Sequence, residues 1–312
     1  MKAVRLHAYG GAEQMQLEDA PVPACGPRDL LVRVVAAGIN PVDWKLRSGA
    51  MAKAIPKAFP FVPGQDAAGV VAAVGEQAEG FEIGDEVFFY AEFARGGTYA
   101  EYAAVEAAQA ARKPRTVTFA TAAALPTPGQ AAWTALFESA RLERGMRALI
   151  HGAAGALGTI AVQLARQHGA HVTATASGPG VELVASLGAD LVIDYRRERF
   201  ETVVRDVDVV LDTVGGATQE ASWPTLRPGG ILVATATPPA PGRAEAAGVR
   251  AAFVFTPPRG QVLAQLADRV DRGLRIVVGQ EFALADVAAA HRLGESGRAR
   301  GKMVLHVAPP AP

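Results

Sequence analysis

The stretch Leu149-Ile150-His151-Gly152-Ala153-Ala154-Gly155-Ala156-Leu157-Gly158 decides the reading of this chain. An apolar β-type run ends in three glycines spaced G-x-x-G-x-x-G. It passes directly into a helical pattern, Thr159-Ile160-Ala161-Val162-Gln163-Leu164-Ala165-Arg166. A strand, a tight glycine turn and a helix N-terminus together make a pyrophosphate site. The glycines let the backbone approach the phosphates, and the helix start offers free N–H groups and a positive dipole end. The residues expected to form that cradle are Gly152, Ala154, Gly155, Ala156, Leu157 and Gly158. Read as packing alone, the same turn would only seat a helix on a sheet. The continuation favours a dinucleotide: a strand at His171–Thr175, a helix at Val181–Leu187 and a strand at Leu191–Asp194 follow.

Working outward, the alternation runs from Arg147 to about Phe255, with further strands at Val207–Asp212, Gly230–Ala234 and Arg250–Phe255. Near-continuous apolar strands predict a parallel sheet covered on both faces, a Rossmann-type doubly wound α/β domain. Residues 1 to about 120 instead carry short strands with Gly/Pro turns: Leu30–Ala37, Gly69–Gly75, Glu86–Tyr90 and Thr98–Ala103. That spacing predicts a barrel-like β domain. Helical periods at Ala120–Leu125 and Gln130–Ser139 are broken at Pro126 and Pro128. After a helix at Gly260–Arg272, β character returns at Ile276–Val278 and Lys302–Leu305. The expected division is therefore a β domain at 1–121, completed by 276–312, around a dinucleotide-binding domain at 122–275. The tail Ala308–Pro312 is expected to fray.

The 312 residues are half hydrophobic but only 6% aromatic, so the core must be mostly Ala, Val and Leu. Lys+Arg and Asp+Glu are both 31, and no basic stripe marks a nucleic-acid partner. Cys25 stands alone, which excludes a disulfide within the chain and a Cys-based zinc site. Met1–Leu6 reads as a strand and lacks the apolar core of a signal peptide. No apolar run approaches the roughly 18 residues of a membrane span. A cytoplasmic protein without a membrane partner is the expectation.

An NAD site places an Asp or Glu near the end of the second strand, where it accepts from the ribose 2′-OH. Here that region is Thr173-Ala174-Thr175-Ala176-Ser177-Gly178-Pro179-Gly180, without a carboxylate. Ser177 can donate to a 2′-phosphate, and Tyr195, Arg196 and Arg197, after the third strand, can supply the charge. This favours NADPH; the alternative is that the two arginines only decorate a solvated loop.

The motifs in order resemble one family. Asn40-Pro41-Val42-Asp43-Trp44-Lys45-Leu46-Arg47-Ser48-Gly49 is close to N-P-x-D-x-K-x-R-x-G, and Pro63-Gly64-Gln65-Asp66 to P-G-x-D. Gly96–Tyr102, Ala123-Ala124-Leu125-Pro126, Asp212-Thr213-Val214-Gly215-Gly216 and Gly301-Lys302-Met303-Val304-Leu305 follow in sequence. End to end, the chain is similar to the zinc-independent quinone oxidoreductase (zeta-crystallin-like) branch of the medium-chain dehydrogenase/reductases. The resemblance implies a GroES-like β-barrel domain joined to the Rossmann domain. It sets Asn40 and Asp43 beside the nicotinamide ribose and acceptor, with Asp43 orienting Lys45 or a ribose hydroxyl, and makes Asn40, Asp43 and Lys45 the catalytic candidates. Ala234, Thr235, Phe253 and Phe255 would pass the nicotinamide amide, and Lys302 would join the cofactor contacts. Read as a loop, Asn40-Pro41 is simply a turn opener and Asp43 a cap.

Zinc-dependent relatives hold their catalytic metal with a Cys, a His-Glu pair and a further Cys or His. Asn40 and Gln65-Asp66 stand at the first of those positions here, so a zinc-free enzyme is expected. Two departures from the family concern the cofactor. Gly178-Pro179-Gly180 replaces a region that often carries Lys or Arg, and Ala131 replaces a Thr that Thr127 would have to supply. Trp44, Met51, Phe59, Tyr90 and Phe93 are candidates for an apolar pocket or for core.

The leading expectation is NADPH-dependent hydride transfer to a quinone or similar electron-poor carbonyl. The alternatives are a 2-alkenal/enone double-bond reductase and a nucleotide-loaded, crystallin-like protein with little turnover. A homodimer through the edge strand Arg250–Phe255 is expected by analogy.

Overall fold

The structure is a computed structural model that describes residues 1–299 and 301–308. Residues 309–312 of the expected frayed tail lie outside the described residues. The chain divides into two units, Met1–Thr127 with Pro257–Pro312, and Pro128–Thr256.

The second unit carries six parallel strands, Arg147–Ile150, His171–Ala176, Leu191–Asp194, Val207–Asp212, Leu226–Ala234 and Arg250–Phe253. Counted in chain order, they lie across the sheet as third, second, first, fourth, fifth, sixth. This is a doubly wound topology, whose ligands bind beyond the carboxyl ends of the strands. Leu149, Ile193, Val210 and Leu232 are buried on it, under Phe200 and Trp223. His151, Ser177, Tyr195, Thr213 and Thr235 directly follow the carboxyl ends of the first five strands. The sixth strand is shorter than expected, ending at Phe253, although the Val254 N–H still bonds to the Ala234 carbonyl at 2.9 Å.

The first unit is built on the 11-residue strand Asp29–Ile39. Strand Asp66–Val74 pairs antiparallel along one side of it. On the other side, Tyr102–Glu106 pairs its first half and Lys302–His306 its second. Leu30, Val32, Val34, Val71, Phe89 and Leu305 form the core of this sheet. The registers Gly38↔Asp66 and Ile39↔Met303 bring Asn40, Asp66 and Lys302 to the same end of it. Gly38 permits the approach, since a Cβ there would lie 2.3 Å from the Ala123 carbonyl oxygen and 3.0 Å from Lys302 Cε.

Three expectations change. Helix Gly260–Asp271 belongs to the first unit, not the dinucleotide unit. Gly260 packs so tightly on strand Ala110–Arg112 that a Cβ would meet the Ala110 carbonyl oxygen at 2.3 Å. The boundaries are therefore 127/128 and 256/257 in place of 121/122 and 275/276. Pro126 and Pro128 open a helix, Pro126–Trp133, in whose first turn no N–H partner is required, so they do not interrupt one. A helix at Val287–Glu295, which the β-character of the C-terminal region concealed, presses Val287 and Ala290 into the core.

Candidate cofactor cradle and buried polar cluster

The glycine turn has the shape its spacing requires. Gly152 adopts φ +62°, and a Cβ on it would lie 2.3 Å from Thr213 Oγ1. A Cβ on Gly158 would meet the Gly152 carbonyl oxygen at 2.4 Å. A side chain at Gly152 would be strained by its positive φ and would press on Thr213, and one at Gly158 would have to move backbone. The Gly155 N–H closes the turn on the Gly152 carbonyl at 3.0 Å, and helix Ala156–Gln167 starts immediately after. Its first-turn amides, Ala156, Leu157 and Gly158, have no acceptor within the helix, and Gly155 is exposed beside them. Free N–H groups at a positive dipole end fit a pyrophosphate. Ala154 sits in the same turn, where a Cβ on Gly180 would press on its own at 2.8 Å.

Register between the second and third strands, Ala176↔Asp194, brings the next two predicted residues together. Ser177 Oγ donates to the Tyr195 hydroxyl at 2.9 Å. Arg196 is exposed, with its backbone N–H on Asp194 Oδ1 at 3.1 Å. Arg197 leans toward the Asp194 carboxylate at 3.7 Å. Gly178 takes φ +53° as it caps helix Pro179–Ser186, which gives a conformational reason for glycine where a cation is common in the family. A cavity of about 440 Å³ opens beside the turn, lined by Gly152, Thr175, Tyr195, Phe200 and Val214 among others. Val214 belongs to the motif Asp212-Thr213-Val214-Gly215-Gly216, whereas Phe200, which opens helix Phe200–Val203, carries no sequence signal for this place.

Two buried groups stiffen this unit. His151 Nε2 lies 3.0 Å from Ser222 Oγ, and Nδ1 3.0 Å from Thr175 Oγ1. Ser222 gives its own proton to the Thr218 carbonyl at 2.6 Å, so it accepts from His151 Nε2–H and Thr175 donates to Nδ1. Burial pushes the ring's pKa down to about 4, and it stays neutral. Asp212 ends the fourth strand; its carboxylate accepts from the N–H groups of Val214 (2.9 Å) and Gly215 (2.8 Å) and from Gln219 Nε2 (3.0 Å). Thr235 donates its N–H to the Asp212 carbonyl at 2.9 Å; Ala234 before it is buried, whereas Phe253 and Phe255 are exposed.

The first unit gathers a polar cluster from five separate segments. Lys302 Nζ donates to Asp66 Oδ2 at 2.9 Å and to Asn40 Oδ1. Asn40 Nδ2 donates to Asp66 Oδ2 at 2.9 Å. Since Lys can only donate and a carboxylate only accept, these partners fix the orientation of the Asn40 amide. Thr127 donates its N–H (3.0 Å) and its hydroxyl (2.5 Å) to Asp66 Oδ1. Lys302 is 3% exposed and Asp66 0%, a desolvated ion pair with its remaining lone pairs satisfied. Asp43, also fully buried, accepts from the Asn40 N–H at 2.6 Å and the Tyr99 hydroxyl at 2.7 Å, both on Oδ2. Burial pushes its carboxyl up to about 7 against those two donors.

Asn40, Asp43, Thr127 and Lys302 thus come together. Lys45 does not: it is exposed on helix Pro41–Arg47, and Asp43 turns to Asn40 and Tyr99 instead of orienting it. In the sequence Asp66 stands at a lost metal position, and no motif there assigns a role to Tyr99 or His291. Of the pocket candidates, Tyr90 is buried edge-on against Phe93 (5.8 Å), Phe59 packs on Tyr9 (4.8 Å), and Trp44 meets His291 (6.1 Å).

Comparison with known proteins places this geometry. Residues 26–115 match the alcohol dehydrogenase GroES-like domain, and residues 187–305 the zinc-binding dehydrogenase family. The chain is 38% identical to 2-methylene-furan-3-one reductase of Solanum lycopersicum, over 99% of this chain and 80% of that one. It is 37% identical, with the same coverage, to the chloroplastic NADPH-dependent alkenal/one oxidoreductase of Arabidopsis thaliana. The solved quinone oxidoreductase of Coxiella burnetii superposes with a TM-score of 0.92 at 33% identity, covering 99% of both chains. With relatives of this identity aligned from end to end, the chain belongs to the quinone oxidoreductase branch of the medium-chain dehydrogenase/reductase superfamily.

Proposed function

We propose that this protein is an NADPH-dependent oxidoreductase that reduces a quinone or a similar electron-poor carbonyl compound. The observation that carries the reading is the intact glycine cradle, Gly152 to Gly158, in a chain whose relatives are named as NADPH-dependent alkenal/one and quinone oxidoreductases. The pyrophosphate lies on the amides of Ala156, Leu157 and Gly158. Ser177, Tyr195 and Arg196 meet the 2′-phosphate, and residues 173–180, where an NAD site carries its Asp or Glu, hold no carboxylate. NADPH, when bound, supplies the hydride. Thr127, Ala234, Thr235, Phe253 and Phe255 complete the proposed cofactor contacts. Lys302 and Asn40 present N–H donors to a ribose hydroxyl or to the oxygen of the acceptor, and Asp43 holds Asn40 in place. Lys45, exposed on helix Pro41–Arg47, stays outside this set.

The residues at the metal positions do not suit zinc. Asn40 is a carboxamide, and the one carboxylate, Asp66, is already neutralised by the Lys302 ammonium that would repel a dication. No helix among the described residues is long and apolar enough to cross a membrane. The lone thiol, Cys25, fits a reducing compartment, and we take it to be the cytoplasm. We further propose a homodimer through strand Arg250–Phe253, an edge of the parallel sheet with Arg250, Ala251 and Phe253 exposed; light scattering at micromolar concentration should give twice the chain mass.

A second reading, reduction of the C=C bond of an enone, rests on the 38% identical tomato reductase. Titrating NADPH and NADH fluorescence, then following NADPH oxidation with a quinone and with an alkenal, tests all of this. Tighter NADPH binding and turnover of the quinone are expected. Turnover of the alkenal alone, with a saturated product, selects the second reading. Binding without turnover of either substrate removes the enzymatic reading.

A further inference from the structure

Arg47 and Tyr99 belong to motifs that stand out in the sequence, and His291 comes from helix Val287–Glu295, which the sequence does not reveal. All three are buried. Arg47 Nη1 lies 3.1 Å from His291 Nδ1. His291 Nε2 lies 3.3 Å from the Tyr99 hydroxyl. That hydroxyl is 2.7 Å from Asp43 Oδ2.

The direction of each bond follows from chemistry. A guanidinium has no acceptor, so His291 Nδ1 must be the lone pair. Burial and the Arg47 charge hold the ring's pKa down to about 3, so it is neutral and its proton sits on Nε2. Nε2–H therefore donates to the Tyr99 oxygen, and Tyr99 spends its own proton on Asp43. Arg47 is anchored in turn by the Glu295 carboxylate and, through Nε, by the Gly10 carbonyl at 3.2 Å.

We propose that Arg47, His291 and Tyr99 form a one-way chain of donors that favours the carboxylate form of Asp43 and so positions Asn40. These are positioning residues; the proposal rests on the reading that Asn40 and Asp43 serve the reaction. Packing alone does not account for the arrangement. Both donors to Asp43 fall on Oδ2, while Oδ1, equally buried, has no partner among the described residues. The charge of this carboxylate therefore depends on two hydrogen bonds, one from the Asn40 backbone and one from the end of the chain. The other charged or titratable groups acting on it are Lys302, which favours the carboxylate, and Asp66, which opposes it; Tyr90 feels both acids from strand Glu86–Tyr90.

The test is a carboxyl ¹³C NMR titration of Asp43 in the full chain without cofactor or acceptor. Tyr99→Phe keeps the ring and removes one donor, and the midpoint should rise by about one pH unit or more. His291→Gln can still accept from Arg47 and donate to Tyr99, so it should leave the midpoint within about 0.3 unit of the parent. His291→Leu should raise it, by less than Tyr99→Phe, on the order of half a unit. An unchanged midpoint in folded Tyr99→Phe overturns the proposal, as does an equal shift in His291→Gln and His291→Leu. If the parent oxidises NADPH with quinone, the acid limb of kcat/KM should move in the same order, with KM for NADPH within about twofold. A parent that turns over no acceptor defeats the proposed function, while the titration still decides the chain of donors.

Discussion

The glycine cradle and the buried polar cluster are built on opposite principles. The cradle is backbone: within seven consecutive residues, two glycines close a turn and a helix start leaves three amides free. The cluster is side chains: Asn40, Asp66, Tyr99, Thr127 and Lys302 reach it from five segments spread over 262 residues. A backbone site tolerates many side chains but fails when a Cβ is added. A side-chain cluster fails when one member is removed, because its neighbours are left buried and unpaired.

The largest effect should come from the cluster. Lys302→Met strands the Asp66 carboxylate in a site with no exposure, and breaking such a pair costs roughly 3–5 kcal/mol. Denaturant unfolding should show it, and Lys302→Met/Asp66→Asn should recover much of the loss. An additive double variant would mean the pair does not interact as its distance implies.

Acid should separate the two units next. His151 keeps its proton off down to about pH 4, against an ordinary value near 6.5. The stability this confers is complete above pH 6.5 and is lost as pH falls toward 4, about 3 kcal/mol in all. In the first unit His291 acts in the same direction, but Asp43, raised to about 7, acts in the opposite one. Its contribution is fully present below the ordinary carboxyl value and fades as pH rises toward 7. Hydrogen exchange at pH 5 against pH 7, corrected for intrinsic rates, should show strand Arg147–Ile150 losing more protection than strand Asp29–Ile39. Equal losses would remove the distinction.

A smaller effect, confined to the backbone site, is expected of Gly158→Ala. Its Cβ would meet the Gly152 carbonyl oxygen and Ala153 Cα at 2.4 and 2.6 Å. NADPH affinity by fluorescence should fall at least tenfold, about 1.4 kcal/mol, in a chain that still folds. Lys45→Ala should do least, changing kcat/KM less than about twofold, as for a surface substitution away from the cluster. A tenfold loss would instead attach this exposed side chain to the reacting atoms.

What the sequence disclosed follows the same division. The glycine turn and the parallel sheet depend on local spacing and on the strand–helix alternation of βαβ units, and they were legible. Asn40 and Asp43 share one motif, but what Asp43 binds does not follow from it: the nearby cation, Lys45, points to solvent, and a tyrosine 56 residues away takes its place. Asp66 and Lys302 each sat in a recognised motif without a hint that they pair, since antiparallel register across 236 residues leaves no local trace. His291 was hidden because its helix is short and alanine-rich, next to β-type runs. Gly260–Asp271 went to the wrong unit because an amphipathic helix does not announce which sheet it covers.

The position of Lys302 also bears on how the molecule is made. A ribosome delivers all six strands of the dinucleotide unit by residue 253, and that unit can close while later residues are still to come. The first unit waits: strand Asp29–Ile39 emerges early but lacks half of its neighbour on one side until Lys302–His306 follows. Until then Asn40 and Asp66 have no cation between them. A chain cut short near residue 300 would thus keep the glycine turn and lose the charged centre of its other unit, leaving Asp66 without the Lys302 ammonium.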